Sequence, residues 1–409
     1  MSQTHKRALK LVAGKQTNRP KIVLVSEALP FSRRSGVLIR NAALAAGLAK
    51  IGNVTVIGLS DKDGGQVPPD INMLRIFDPN VPSLWAQRTL SQPLVPPLSN
   101  VVKTAFRTFI EAETPDVVVV NSTVTAGVLP LLAGYSGKVI LDLHNIDAQL
   151  LAAILRSNPY RFLPRTFVSS ATMIWCARRQ EKRAVEQADH VWVCSHDDAK
   201  EAKALWGVDA AVIHTPVPDR TLFDLPINAE RYAQGKILFV GLLSYRPNQQ
   251  AIASLINKIM PKLPEMRLQI IGSANENYRF PKMPENVALE INLPDLKPLI
   301  AAAGFSAMPI VTGGGTRIKA TEAMAAGVAI VATEKAVEGL GMRDGEHYLR
   351  AETPEAFCAS LQSLHKQPQK AAEMATRARQ HAFEHYSEHV INNQMASQIE
   401  TILRPVPAM

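Results

Sequence analysis

FSAMPIVTGGGTRIKATEAMAAGVAIVAT, residues 305–333, reads as strand, glycine loop, helix and strand in succession. The two apolar runs are short and uninterrupted, as strands buried on both faces of a parallel sheet must be. Between them, Gly313, Gly314 and Gly315 offer backbone amides that an anion can approach closely. A helix start adds unpaired N–H groups and a positive dipole end. Thr316, Arg317 and Lys319 follow, so hydroxyl and cations stand where a phosphate would sit. Glu322, one turn further in, can accept hydrogen bonds from sugar hydroxyls. The alanines of the same helix allow close packing on the sheet.

The same alternation extends both ways. Upstream come KILFVGLLS from Lys236, a helix around 249–260, RLQIIGS, NVALEI and a short helix at 296–303. The N-terminal half carries its own series: KIVLVS, NVTVIGLS, a possible MLRIF, PDVVVVNS, KVILDLHN, HVWVCS and AAVIH, with helix-like stretches among them. The proline-rich HTPVPDRTLFDLP divides the two series. The expectation is an α/β chain of two doubly wound, Rossmann-like domains facing each other across a cleft. Residues 1–20 read as a flexible basic arm and 21–213 as the first domain. Residues 214–226 form the linker, 227–384 the second domain and 385–409 a C-terminal helix crossing back. Ligands of such sheets sit at the carboxyl ends of the strands, which is where residues 313–327 lie.

The 409 residues exceed one ordinary core, and 46% hydrophobic with 20% charged residues fits a globular chain. The three cysteines have no metal-ligand spacing, and a reducing compartment fits them. No apolar run reaches the roughly 20 residues of a membrane span. The start of the chain lacks the apolar core of a secretory signal. Net charge is +9, and residues 156–183 concentrate it, with seven cations against Glu181 alone. Apolar and aromatic residues interleave there. The segment suits either an anionic membrane surface or a solvated basic helix face. A nucleic-acid partner is not expected, because no binding module accompanies the charge.

With FVGLLSYRPN, the GGGTRIKATEAMAAGVAIVAT unit, AVEGL and RDGEHYL in place, the chain resembles the retaining glycosyltransferases of family 4, the glycosyl transferases group 1 type. The GGGTR-type branch is the nearest in pattern. The resemblance is strongest from Lys236 to about Leu349 and covers nearly the whole chain. It implies the GT-B fold and transfer of a sugar, of hexose type, from a nucleotide-sugar to an acceptor hydroxyl with retention. It implies no cofactor and no metal, the nucleotide-sugar being a co-substrate. Cell-surface polysaccharide or glycolipid synthesis is the expected setting. The acceptor would be a sugar or lipid-linked, at the cytoplasmic face of the membrane, with residues 156–183 as a peripheral contact.

By the same resemblance, Glu322 holds the nucleotide ribose. Gly313 to Gly315, Thr316, Arg317 and Lys319 meet the donor, and Glu338 of AVEGL lines the nucleotide pocket. His144 of LDLHN contacts the donor sugar and, with Glu322, is the catalytic candidate. Gly36, Asn145 and Asp147 stand on the acceptor or phosphate side. Ser195 is either a helix cap or a ligand contact. Two departures stand out. The family pairs two glutamates eight positions apart, yet Gly314 occupies the first position. The loop after Val240 lacks the usual Arg and Lys, leaving Arg246 as one phosphate candidate and more weight on Arg317 and Lys319. A sugar-nucleotide epimerase of this fold and a non-catalytic nucleotide-sugar-binding partner are the alternatives. An NAD-dependent oxidoreductase is disfavoured, since SEALPFSRRSG supplies no GxGxxG turn.

Overall fold

The computed structural model describes residues 19–29, 36–61, 65, 67–81, 84–89, 91–156, 164–274, 282–293, 295–313 and 317–404. Most of the expected basic arm, and Gly314, Gly315 and Thr316, lie outside the described residues. Two separate parallel sheets organise the rest. The first contains β1 (Lys21–Ser26), β2 (Asn53–Gly58), β3 (Ile71–Arg75), β4 (Val117–Asn121), β5 (Lys138–Leu143), β6 (His190–Val193) and β7 (Ala211–Val212). Their order is β3-β2-β1-β4-β5-β6-β7. The second contains β8 (Lys236–Val240), β9 (Arg267–Gly272), β10 (Val287–Ile291), β11 (Phe305–Met308), β12 (Ala329–Ala332) and β13 (Leu349–Arg350), in the order β10-β9-β8-β11-β12-β13. This is the expected pair of doubly wound domains.

Strand order reverses between β1 and β4 in one sheet and between β8 and β11 in the other. Each reversal opens a crevice at the strand ends. The strands pay no alternation penalty because helices cover both faces. Val23, Val25, Val118 and Val120 enter one core layer, while Ile22, Leu24, Val117 and Val119 enter the layer behind. The helix Glu388–Leu403 contributes Ile391, Met395, Ile399 and Ile402 to that second layer, far from it in sequence. It packs on the helix Gly36–Ile51 so closely that a Cβ at Gly47 would stand 1.9 Å from Met395 Cε.

Some elements differ from expectation. The helix expected around 249–260 is broken: Arg246–Ser254 is α-helical, Leu255–Ile259 widens to a π turn, and Met260–Lys262 tightens to a 3-10 turn. Pro261, lacking an N–H, explains the break at its end. β7 and β13 are two residues each. The linker holds a short helix, Arg220–Asp224, capped by Asp219.

Candidate functional site

On the second sheet, β8 ends at Val240 and β11 at Met308, on either side of the strand-order reversal. The helix Ile318–Ala325 starts above this crevice, and Arg317 occupies its N-cap position. Gly313 has φ +132°, a conformation side chains rarely adopt, so its glycine identity is required. Arg317 Nη2 donates to Gly313 O at 3.2 Å and to Glu338 Oε2 at 2.9 Å. Glu338 also receives Lys335. Arg317 therefore clasps its own loop while its charge is balanced by a half-exposed carboxylate.

Lys319 reaches back over the crevice. Its Nζ donates to Asn248 Oδ1 at 2.6 Å and stands 4.5 Å from the Phe239 ring centroid. A Cβ at Gly241 would lie 3.2 Å from this nitrogen and 2.6 Å from Asn248 Nδ2. The loop after β8 thus lacks cations of its own and receives one from the helix. Burial, then the neighbouring Arg317, push Lys319 down to about 7, with Glu322 opposing. Burial, then Asp219, push Glu322 up to about 7, with Lys319 opposing. Lys319 and Glu322 line one small pocket with Val240, Ser306 and Val328. Arg246, by contrast, is exposed at the start of its helix. Asn248, buried and not singled out in the sequence, is the residue that fixes Lys319.

The first sheet presents a different arrangement. His144 follows β5 and is buried, its Nε2 3.3 Å from Asp142 Oδ2. Asp142 receives Arg40 through both Nε, at 3.0 Å, and Nη2, and receives Asn121 Nδ2 at 2.8 Å. Arg40 Nη1 donates to Ile213 O at 2.7 Å and Thr215 Oγ1 at 3.2 Å, so it also ties the linker to this sheet. Burial alone would raise the Asp142 pKa. The Arg40 guanidinium, with His144, outweighs it and holds the carboxyl down at about 2. Nothing in the local sequence marks Arg40, whose partner stands about a hundred residues away.

Asn145 Oδ1 is buried with no hydrogen-bond partner among the described residues. Asp147 opens the helix Asp147–Arg156, and its carboxylate accepts a short bond from Thr123 Oγ1. Burial raises the Asp147 pKa, with Thr123, His144 and Arg88 opposing.

The two walls meet. Gly36 begins its helix where a Cβ would touch Ile318 Cδ1 at 3.4 Å, at the head of the helix Ile318–Ala325. Gly339, at φ +77°, lies against Ser195, whose Cβ would be 3.0 Å from an added Cβ. Ser195 is a helix cap: Oγ accepts the Asp198 N–H at 3.1 Å and donates to Asp198 Oδ2 at 2.6 Å. Burial raises the Asp198 pKa, and Arg317 from the opposite wall is among the charges opposing that rise. The structure so brings Arg317, Glu338, Gly36 and Ser195 to one cleft. His144, Asn145 and Asp147 stand at the strand ends of its other wall. Among the described residues, no three His, Cys, Asp or Glu side chains converge as a metal site requires.

Comparison with known proteins agrees with this architecture. Residues 35–217 match the family model of the glycosyl transferase 4-like domain, and residues 234–367 match that of glycosyl transferases group 1. Together the two span about three quarters of the chain. No curated protein matches by sequence. Among solved structures, sucrose-phosphate synthase from Thermosynechococcus elongatus superposes with TM-score 0.73 at 16% identity, over 94% of this chain and 99% of that one. Anabaena HepE, in complex with UDP and glucose, gives 0.64 at 15% identity, over 94% and 100%. The pneumococcal O-GlcNAc transferase GtfA, in complex with UDP and GlcNAc, gives 0.63 at 10% identity, over 95% and 100%. At these identities the likeness is one of fold.

Proposed function

The chain belongs to the glycosyltransferases of the GT-B fold, and from that premise we propose that it is a retaining, family 4 hexosyltransferase of the GGGTR-type branch that uses a nucleotide-sugar. One observation carries the donor end of this reading. Two cations, Arg317 and Lys319, stand at the first turn of a helix above the strand-order reversal, and Lys319 is locked into the loop after β8 by Asn248. The fold neighbours HepE and GtfA, described with UDP and a sugar, are consistent with it.

In this reading the diphosphate lies on Gly313 to Gly315, Thr316, Arg317 and Lys319, with Arg317 exchanging Glu338 for phosphate. Glu322 receives the ribose hydroxyls. His144, held by Asp142, faces the donor sugar, and the acceptor enters past Gly36, Asn145 and Asp147. Closure of the cleft excludes water and aligns the acceptor hydroxyl. The acceptor oxygen bonds to the anomeric carbon on the face from which the diphosphate departs. The carbon–phosphate-oxygen bond breaks, and the leaving oxygen takes the hydroxyl proton. The protein's part is to stabilise the charge growing on the diphosphate. No separate cofactor is required in this scheme.

The acceptor we assign to cell-surface polysaccharide or glycolipid synthesis at the cytoplasmic membrane face. The outer face of the helix Pro164–Glu186 supports this, since Trp175, 59% exposed, lies close to exposed Arg178, Arg179, Lys182 and Arg183. Arg179 stacks over the Trp175 ring at 5.4 Å. Such a face suits anionic headgroups. Among the described residues no helix is long and apolar enough to cross a membrane.

The test is transfer by purified protein from a panel of nucleotide-sugars to sugar and lipid-linked acceptors. Glu322→Ala should lower kcat/KM at least about a hundredfold without lowering Tm, because donor orientation is lost. Full activity in that variant sinks the assignment, and a new sugar isomer from donor alone would indicate an epimerase. Sedimentation with phosphatidylglycerol vesicles, weakened in Trp175→Ala and by salt, tests the membrane contact. Equal sedimentation with neutral vesicles would refute it.

A further inference from the structure

Glu181 is the one acid in the basic stretch 156–183, and it turns inward. Arg178, Arg179, Lys182 and Arg183 on the same helix are exposed, whereas Cys176, Ala177, Glu181, Ala184 and Val185 form the buried face. Glu181 is 1% exposed. Its Oε1 accepts the Asp147 N–H at 2.7 Å and its Oε2 the Ala148 N–H at 3.4 Å.

These amides open the helix Asp147–Arg156. A helix start leaves backbone N–H groups without partners, and a Ser, Thr, Asp or Asn just before it ordinarily satisfies one. The residue there is Ile146, whose side chain has no acceptor. The cap instead arrives from a helix more than thirty residues later. Asp147, the first residue of the helix, accepts instead from Thr123 Oγ1. Residues 144–146 are then held at both ends, by β5 on one side and by this distal cap on the other.

We propose that Glu181 is a positioning residue for the acceptor side of the cleft: by capping the helix Asp147–Arg156 from a distance, it fixes where Asn145 and Asp147 stand. This rests on the acceptor side lying there, as assigned above. Glu181 is faced by Asp147 from the capped helix and by Glu201 from the helix His196–Trp206. His144, Arg88 and Thr123 face Asp147 in turn. Burial, then Asp147, push Glu181 up to about 8, with the two amide bonds opposing. An acid raised in the folded state binds its proton more tightly there than in the unfolded chain. Its contribution to stability is therefore full at low pH and is lost as pH rises towards 8.

Glu181→Gln keeps a carbonyl acceptor for the amides and removes the titration. Glu181→Ala removes the cap. In acceptor-saturation kinetics at pH 6.5, Glu181→Ala should raise the acceptor KM about tenfold, the scale of a lost cap, while the Kd for nucleoside diphosphate stays unchanged. Glu181→Gln should restore the acceptor KM. The second readout needs no activity: between pH 6 and 9, Tm of the wild type should fall more steeply than that of Glu181→Gln. An unchanged acceptor KM in Glu181→Ala, or no rescue by Gln, overturns the proposal. So does an equal pH slope in wild type and Glu181→Gln. A wild type that transfers no sugar would refute the transferase reading instead, and the pH slope would still test the cap.

Discussion

Arg40 with Asp142 and Arg317 with Glu338 are the same chemical pair set on opposite walls of the cleft. The first pair is 2% and 0% exposed in its side chains, the second 10% and 43%. Asp142 is fully committed, to two arginine nitrogens and to Asn121. Glu338 is open to water and shares itself with Lys335. A buried pair cannot exchange partners without stranding a charge in a medium of low dielectric. A pair whose carboxylate is half-exposed can, because water replaces what that carboxylate loses. The burial of the carboxylate, more than residue type, thus separates a guanidinium committed to the fold from one whose partner can be exchanged. Arg40 orients His144 through Asp142 and clips the linker. In the proposed function Arg317 keeps its charge at a helix start for a phosphate.

The most forceful way to break this comparison is Asp142→Ala beside Glu338→Ala. Removing Asp142 leaves the Arg40 charge buried and unpaired, and should lower stability by about 3–5 kcal/mol, read as a large fall in Tm. Removing Glu338 should lower it by less than about 1 kcal/mol. Similar Tm changes for the two variants would show that the pairs do the same work.

Lys319 sharpens the comparison by a smaller effect. Its pKa of about 7 belongs to the unliganded protein. A lysine below its ordinary value is losing charge across neutral pH. A bound diphosphate favours the protonated form, so binding must take up a proton above pH 7. Affinity for nucleoside diphosphate should weaken by up to about tenfold per pH unit above 7. Lys319→Arg, always charged, should flatten that slope. Titration calorimetry at pH 6, 7 and 8 measures it, and a slope unchanged by Lys319→Arg would place the titrating group elsewhere. Glu322 titrates in the same window, up at about 7, but the arginine substitution isolates Lys319 from it.

The same contrast explains what could be seen in the sequence. The strands were legible because VVVV of β4, buried throughout, leaves an uninterrupted apolar run. The residues proposed for the donor stand out in the sequence because glycines, cations and a carboxylate crowd one short stretch, so that pattern is local. Ser195 could be recognised as a cap for the same reason. Arg40, Asn248 and Glu181 were not legible as site residues. Each acts on a partner brought close only by the fold: Arg40 on Asp142, Asn248 on Lys319 and Glu181 on the amides of Asp147 and Ala148. Glu181 did leave a trace, as the lone acid among seven cations. The break at Pro261 and the two-residue β13 escaped because short elements carry no periodicity.

In the proposed function Arg317 and Lys319 receive a diphosphate. The most direct test of that role is calorimetric binding of a nucleoside and of its diphosphate to the wild type and to Arg317→Ala/Lys319→Ala at pH 6.5. Diphosphate affinity should fall about a hundredfold or more, as expected for the loss of two charge-assisted contacts, while affinity for the nucleoside is unchanged. Undiminished diphosphate binding in the double variant would contradict that role.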